Sequence, residues 1–150
     1  MTCPAVSKLG VYQAIQKLVI TIGVLGICTL PPTAPAQDVP DWPDELQCRS
    51  NPPTSMIRTG WCLSIDRDKG NCVACHMLNV NPWPETLPVS GNIAPPLVAM
   101  QPRFPDIEVL RRQIADAPAL NPDTSMPPYL RHELLDSDEI DRILQFLLTL

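Results

Sequence analysis

Cys72-Val73-Ala74-Cys75-His76 is the stretch on which the reading of this chain turns. A Cys-x-x-Cys-His run is the attachment pattern of a c-type haem. Each thiol can add to one vinyl group of the porphyrin, and the adjoining histidine then reaches the iron from one side. That chemistry makes three demands on the remaining sequence: export, a second axial ligand, and helices to shield the ring. Two other uses of the thiols compete with it. Cys72 and Cys75 together with Cys48 and Cys62 would make a four-thiolate zinc site. Thioredoxin-like disulfide chemistry would need a βαβ setting, and no such pattern accompanies the motif. The histidine immediately after the second cysteine favours haem.

Upstream, the chain opens as an export signal. Lys8 and Lys17 form a weakly basic beginning, and Leu18 to Leu30 carry no charge. That stretch is short for a membrane span, and Ala34-Pro35-Ala36 supplies small residues for cleavage before Gln37. An uncleaved anchor is the rival reading. Cys28 follows Ile27, where a lipoprotein signal needs a small residue, so lipid attachment is not expected. The expected organisation is a signal peptide over 1–36, an extended acidic Pro-rich lead-in over 37–55, and one domain over 56–150, in a periplasmic protein. In the exported part nine basic residues face sixteen acidic ones, a net charge of about −7. Such a surface argues against nucleic acid and anionic membranes as partners. An oxidising compartment leaves Cys48 and Cys62 as a disulfide candidate once the haem takes the other two thiols. Trp42 is the one residue of the lead-in able to anchor it to something.

The elements around the motif are helices and loops. Ile57, Trp61 and Ile65 recur at helical spacing over 56–69, with Gly70 as the stop. From 79 to 102 the prolines Pro82, Pro84, Pro88, Pro95, Pro96 and Pro102 forbid a long helix. Helix resumes near Pro105, with Ile107, Leu110 and Ile114 on one face and Pro118 as its end. Asn121 to Tyr129 read as a second Pro-punctuated loop. Asp136 stands three residues before Glu139 as a capping box, and Ile140, Ile143, Leu144, Leu147 and Leu148 then form an apolar stripe. The fold class expected is all-α, with few helices and long loops around one haem.

His76 is the expected proximal ligand of the iron. Among the methionines, Met77 adjoins His76 and cannot reach the opposite face, and Met56 lies on the first helix. Met126, in Thr124-Ser125-Met126-Pro127-Pro128, is preferred because the prolines stiffen the loop and 50 residues of chain separate it from His76. Met100 and His132 are the rivals; Met100 fits packing, the usual role of methionine. A His/Met pair saturates the iron and raises its potential, which suits electron transfer. An open or labile site would instead suit an enzyme or a ligand sensor.

Several segments resemble a known family. Asp66-Arg67-Asp68-Lys69-Gly70-Asn71 leading into Cys72, Gly91-Asn92-Ile93-Ala94-Pro95-Pro96-Leu97, Asn121 to Tyr129, and the closing helix are similar in order to SoxX, the monohaem cytochromes of bacterial sulfur oxidation. Ala94 departs from the family's glycine. The resemblance covers about residues 56–150. It implies a class I cytochrome c fold with first and last helices crossing beside one covalent haem c. It also implies a heterodimer with a SoxA-type cytochrome that carries the catalytic cysteine and joins thiosulfate to a cysteine of the SoxYZ carrier protein. This chain would then pass electrons to a small soluble cytochrome c. Finally, it implies that the Pro95 carbonyl accepts a hydrogen bond from the second nitrogen of His76, fixing the ring. A free monohaem shuttle between other redox proteins is the alternative.

Overall fold

The structure, a computed structural model, describes residues 41–150. The expected signal segment therefore lies outside the described residues. The architecture is mostly helical: α1 (Glu45–Ser50), α2 (Met56–Ile65), strands β1 (His76–Leu78) and β2 (Ala94–Leu97), then α3 (Met100–Arg103), α4 (Ile107–Ala115), α5 (Ala117–Leu120) and α6 (Ser137–Leu147). None of these helices is long and apolar enough to cross a membrane.

The frame is the packing of α2 against α6, the most extensive contact between elements. Trp61 and Ile65 from α2 meet Ile140, Ile143, Leu144, Phe146 and Leu147 from α6, all buried. Gly60 makes the close approach possible. A Cβ at that position would collide with the carbonyl oxygen of Arg142 and lie 2.9 Å from the Cβ of Phe146, so a side chain there would force the helices apart. Helix α6 starts where the sequence predicts. The Asp136 carboxylate accepts from the Glu139 N–H at 2.8 Å, and the Glu139 carboxylate accepts from the Asp136 N–H at 3.0 Å, which satisfies two of the donors left free at a helix start. Leu110 and Ile114 of α4 close the core on another side, although Ile107, expected on the same face, stays exposed. Arg111 joins α4 to α6 by donating to Asp141 at 2.6 Å and to Ser137 at 2.7 Å.

The described part of the lead-in, 41–55, is not extended throughout, although its prolines suggest that. Residues 45–50 are helical, and the Asp44 side chain accepts from the Gln47 N–H while the Gln47 amide oxygen accepts from the Asp44 N–H, a second capping box. Trp42 is buried, with its ring 5.3 Å from Trp61 and 5.5 Å from Phe146, and the Trp61 indole donates to the Pro43 carbonyl at 2.7 Å. Cys48 and Cys62 are joined by a disulfide with Cα atoms 5.6 Å apart, tying α1 to α2. Trp42 and Cys48 thus belong to the core. The physical reason is tertiary: indole burial and a covalent link hold six residues that could not sustain a helix alone.

Other boundaries also differ from the periodicity. Helix α2 ends at Ile65, and 66–71 form a turn; α4 begins after Asp106, whose carboxylate caps it by accepting from Glu108 N–H. Pro118 does not end α4; it lies in α5, while the break falls at Asp116. The two short parallel strands pair His76 with Ala94 and Leu78 with Leu97, a pairing that a Pro-rich sequence does not announce.

Candidate cofactor cavity

The stretch over 72–76 is built by folding the chain back on the end of α2. Gly70 N–H donates to Leu63 O at 3.0 Å, and Asn71 N–H to Asp66 O at 3.0 Å. A Cβ at Gly70 would meet Leu63 O at 2.6 Å, so the turn needs glycine. Asn71 adopts a left-handed conformation with φ of 44°, which asparagine tolerates better than most residues. A single 3₁₀ turn then spans Cys72–Ala74. Three residues per turn bring positions i and i+3 into line, and so place Cys72 and Cys75 on one side. Neither thiol is in a disulfide. Burial pushes the Cys72 thiol up to about 11, with a smaller opposing contribution from the Ser64 hydroxyl.

His76 follows directly as the first residue of β1. Pairing with β2 brings Pro95 alongside, and His76 Nδ1 lies 2.7 Å from the Pro95 carbonyl oxygen. A carbonyl only accepts, so in the neutral imidazole this bond places the proton on Nδ1 and leaves the Nε2 lone pair free. Gly91 closes the same arch: its N–H donates to Val73 O at 2.7 Å, and a Cβ there would collide with the Ala74 carbonyl.

These groups face a cavity of about 610 Å³, within the size range of small-molecule and cofactor sites. Asn71, Cys72, Cys75, His76 and Pro95 line one part of its wall; Leu110 and Ile114 of α4, Ile143 and Leu147 of α6, and the loop from Asn121 to Met126 line others. The wall is largely apolar, and among the described residues Arg103 is the only lysine or arginine lining it. The structure therefore brings Cys72, Cys75, His76, Pro95 and Met126 to one cavity, separated as they are by up to 54 positions in sequence. Cys48 and Cys62 are committed to each other, which removes them from the four-thiolate zinc alternative. Among the described residues no group of three or more His, Cys, Asp or Glu is arranged to hold a metal ion. His132 is exposed and does not line the cavity.

Both methionine candidates line the cavity, and their sulfurs differ in partner. Met100 is 1 % exposed, and Arg103 Nη1 approaches its sulfur at 3.6 Å. A guanidinium beside a sulfur opposes coordination of a cationic metal there. Met126 sits half-buried in its loop, with its N–H donating to Thr124 Oγ1 at 3.2 Å and its sulfur 3.9 Å from the neutral Gln113 amide. The loop is tied to the turn before Cys72 by Tyr129, whose hydroxyl donates to the Gly70 carbonyl. Burial raises the Tyr129 phenol above its ordinary value, and the nearby Cys72 and Cys75 thiols act in the same direction.

Arg103, Gln113 and Tyr129 are absent from the residues the sequence singles out. Tyr129 had a signal, since a tyrosine beside a Pro-Pro pair near a ligand candidate needs a hydroxyl partner when buried. Arg103 and Gln113 had none beyond their helical positions.

Compared with known proteins, the chain matches no family model and no curated protein.

Proposed function

We propose that this chain is a c-type electron-transfer cytochrome of class I fold, acting as the SoxX-type subunit of a thiosulfate-oxidising complex. The observation that carries the cytochrome part of the reading is the convergence of Cys72, Cys75, His76 and Met126 on one largely apolar cavity, with His76 Nδ1 engaged by Pro95. The donor set fits a haem. Two thiols face the cavity from one turn, an imidazole has its metal-binding nitrogen free, and a thioether stands on another part of the wall. When bound, the haem supplies a one-electron ferric/ferrous couple. Cys72 and Cys75 would hold it covalently, and His76, oriented by Pro95, would bind the iron. Met126, held by its Pro-flanked loop, would be the second iron ligand, and Leu110, Ile114, Ile143 and Leu147 of α4 and α6 would pack against the ring. An iron with both axial positions filled would change little on gaining an electron, which would favour relay over ligand binding.

The sulfur-oxidation assignment rests on the ordered segments from Asp66 to the closing helix that resemble SoxX. In that reading the chain accepts electrons released when thiosulfate is joined to a carrier cysteine at the partner's site, and passes them to a small cytochrome c. The axial assignment is tested by the methionine-to-iron charge-transfer band of the ferric protein. The expected result is a band in wild type that Met126→Ala abolishes; a band surviving that substitution refutes it. Carbon monoxide binding to untreated ferrous protein would indicate an open iron instead.

A further inference from the structure

Two methionine sulfurs line the cavity, and each carries a side-chain donor. At Met100 the donor is the Arg103 guanidinium, which also donates to the Pro96 and Val98 carbonyls at 2.8 and 3.2 Å. At Met126 it is the Gln113 amide, Nε2 to Sδ at 3.9 Å, within reach of a weak N–H···S bond. Gln113 projects from α4, whose neighbouring Leu110 and Ile114 are buried in the core, so the amide is presented from a fixed element. A thioether sulfur has two lone pairs. When an amide N–H occupies one, the other is the pair left for a metal.

We infer that Gln113 is a positioning residue for Met126, engaging one sulfur lone pair and directing the other toward the iron. The inference rests on the proposed His/Met ligation. The backbone of Met126 is already held by Thr124 Oγ1, and Gln113 adds a restraint on the sulfur itself. The amide is uncharged, so it can hold the sulfur without the repulsion that Arg103 would exert on a cationic iron at Met100. Removing it leaves the thioether free to rotate away, and an external ligand then competes more easily for the same coordination position.

The test uses the haem-loaded full chain with Gln113→Glu and Gln113→Leu. At neutral pH the glutamate keeps the size of glutamine but, ionised, has no proton to donate. Imidazole is titrated into the ferric protein, and the Met126 methyl resonance is followed in the ferrous protein. Both variants are expected to bind imidazole about 2- to 10-fold more tightly than wild type, the equivalent of one hydrogen bond, and to shift or broaden the methyl signal. A merely structural role would lower the unfolding midpoint without moving either readout. If the leucine variant fails to fold, the isosteric glutamate variant decides the question. Unchanged imidazole affinity and methyl signal in Gln113→Glu, with the charge-transfer band lost in Met126→Ala, overturn this inference alone. A band that survives in Met126→Ala overturns the ligation and the inference together.

Discussion

Tyr129 is the side chain that joins the two halves of the cavity wall, because its hydroxyl donates to the Gly70 carbonyl at the turn preceding Cys72. In Tyr129→Phe that buried carbonyl loses its side-chain partner, and the expected cost is about 1–3 kcal/mol in chemical denaturation. The same residue sets an alkaline limit. Burial raises the folded phenol above the unfolded value of about 10, so above that pH the unfolded chain releases a proton that the folded chain retains. The stability from this group is fully present below about pH 10 and is lost as pH rises from there toward the folded value. Unfolding midpoints measured across the alkaline range should fall more steeply in wild type than in Tyr129→Phe; equal slopes would contradict the account. At this scale the sequence was informative where chemistry is local. Cys72, Cys75 and His76 announce themselves because the proposed covalent attachment would demand neighbours in sequence. Gln113 and Arg103 do not, since each acquires its meaning only from a sulfur brought to it by folding.

The elements differ in how much of them a linear reading could find, and α1 and α6 make the contrast plain. Both carry a capping box, Asp44 with Gln47 and Asp136 with Glu139. In α6 an apolar stripe of several turns follows the cap, so the helix is legible. In α1 only six residues follow before Asn51, flanked by Pro43 and Pro52, and the helix exists because Cys48 is bonded to Cys62 and Trp42 is buried. Replacing both Cys48 and Cys62 by serine should cost about 3 kcal/mol, the chain-entropy value for a loop of this length. The loss should appear in denaturant unfolding of the loaded protein, whereas the charge-transfer band should persist, because neither cysteine lines the cavity. The α2–α6 crossing is the second case. Its apolar stripes could be read from spacing, but the burial of Phe146 could not, because it depends on the missing Cβ of Gly60. Gly60→Ala should destabilise by about 1–3 kcal/mol through overpacking, despite the better helix propensity of alanine. A neutral or stabilising effect on the thermal midpoint would mean the helices can separate freely.

For the whole molecule, three exposed apolar residues follow closely on the stretch over 72–76 in sequence. Val89 is 93 % exposed and Ile93 is 82 % exposed, and Met77 next to His76 is also uncovered. Ile93 lines the cavity as well, so it lies at the edge of the site through which electrons would pass. Exposed apolar residues beside a functional site are what an obligate partner would cover, and they suit the proposed heterodimer better than a free shuttle, which must stay soluble alone. The net charge of about −7 in 37–150 supports solubility but identifies no partner by itself. The decisive measurement is co-purification of the chain with a second haem protein encoded beside it. Val89→Asp should weaken that association by about tenfold or more, since it places a charge in a desolvated contact. It should leave the haem spectrum unchanged, because so exposed a side chain contributes little to the fold and does not line the cavity. A chain that never associates with a second haem protein refutes the SoxX-type role and leaves a free monohaem carrier. Association that Val89→Asp does not weaken would keep the partner and move its contact away from this segment.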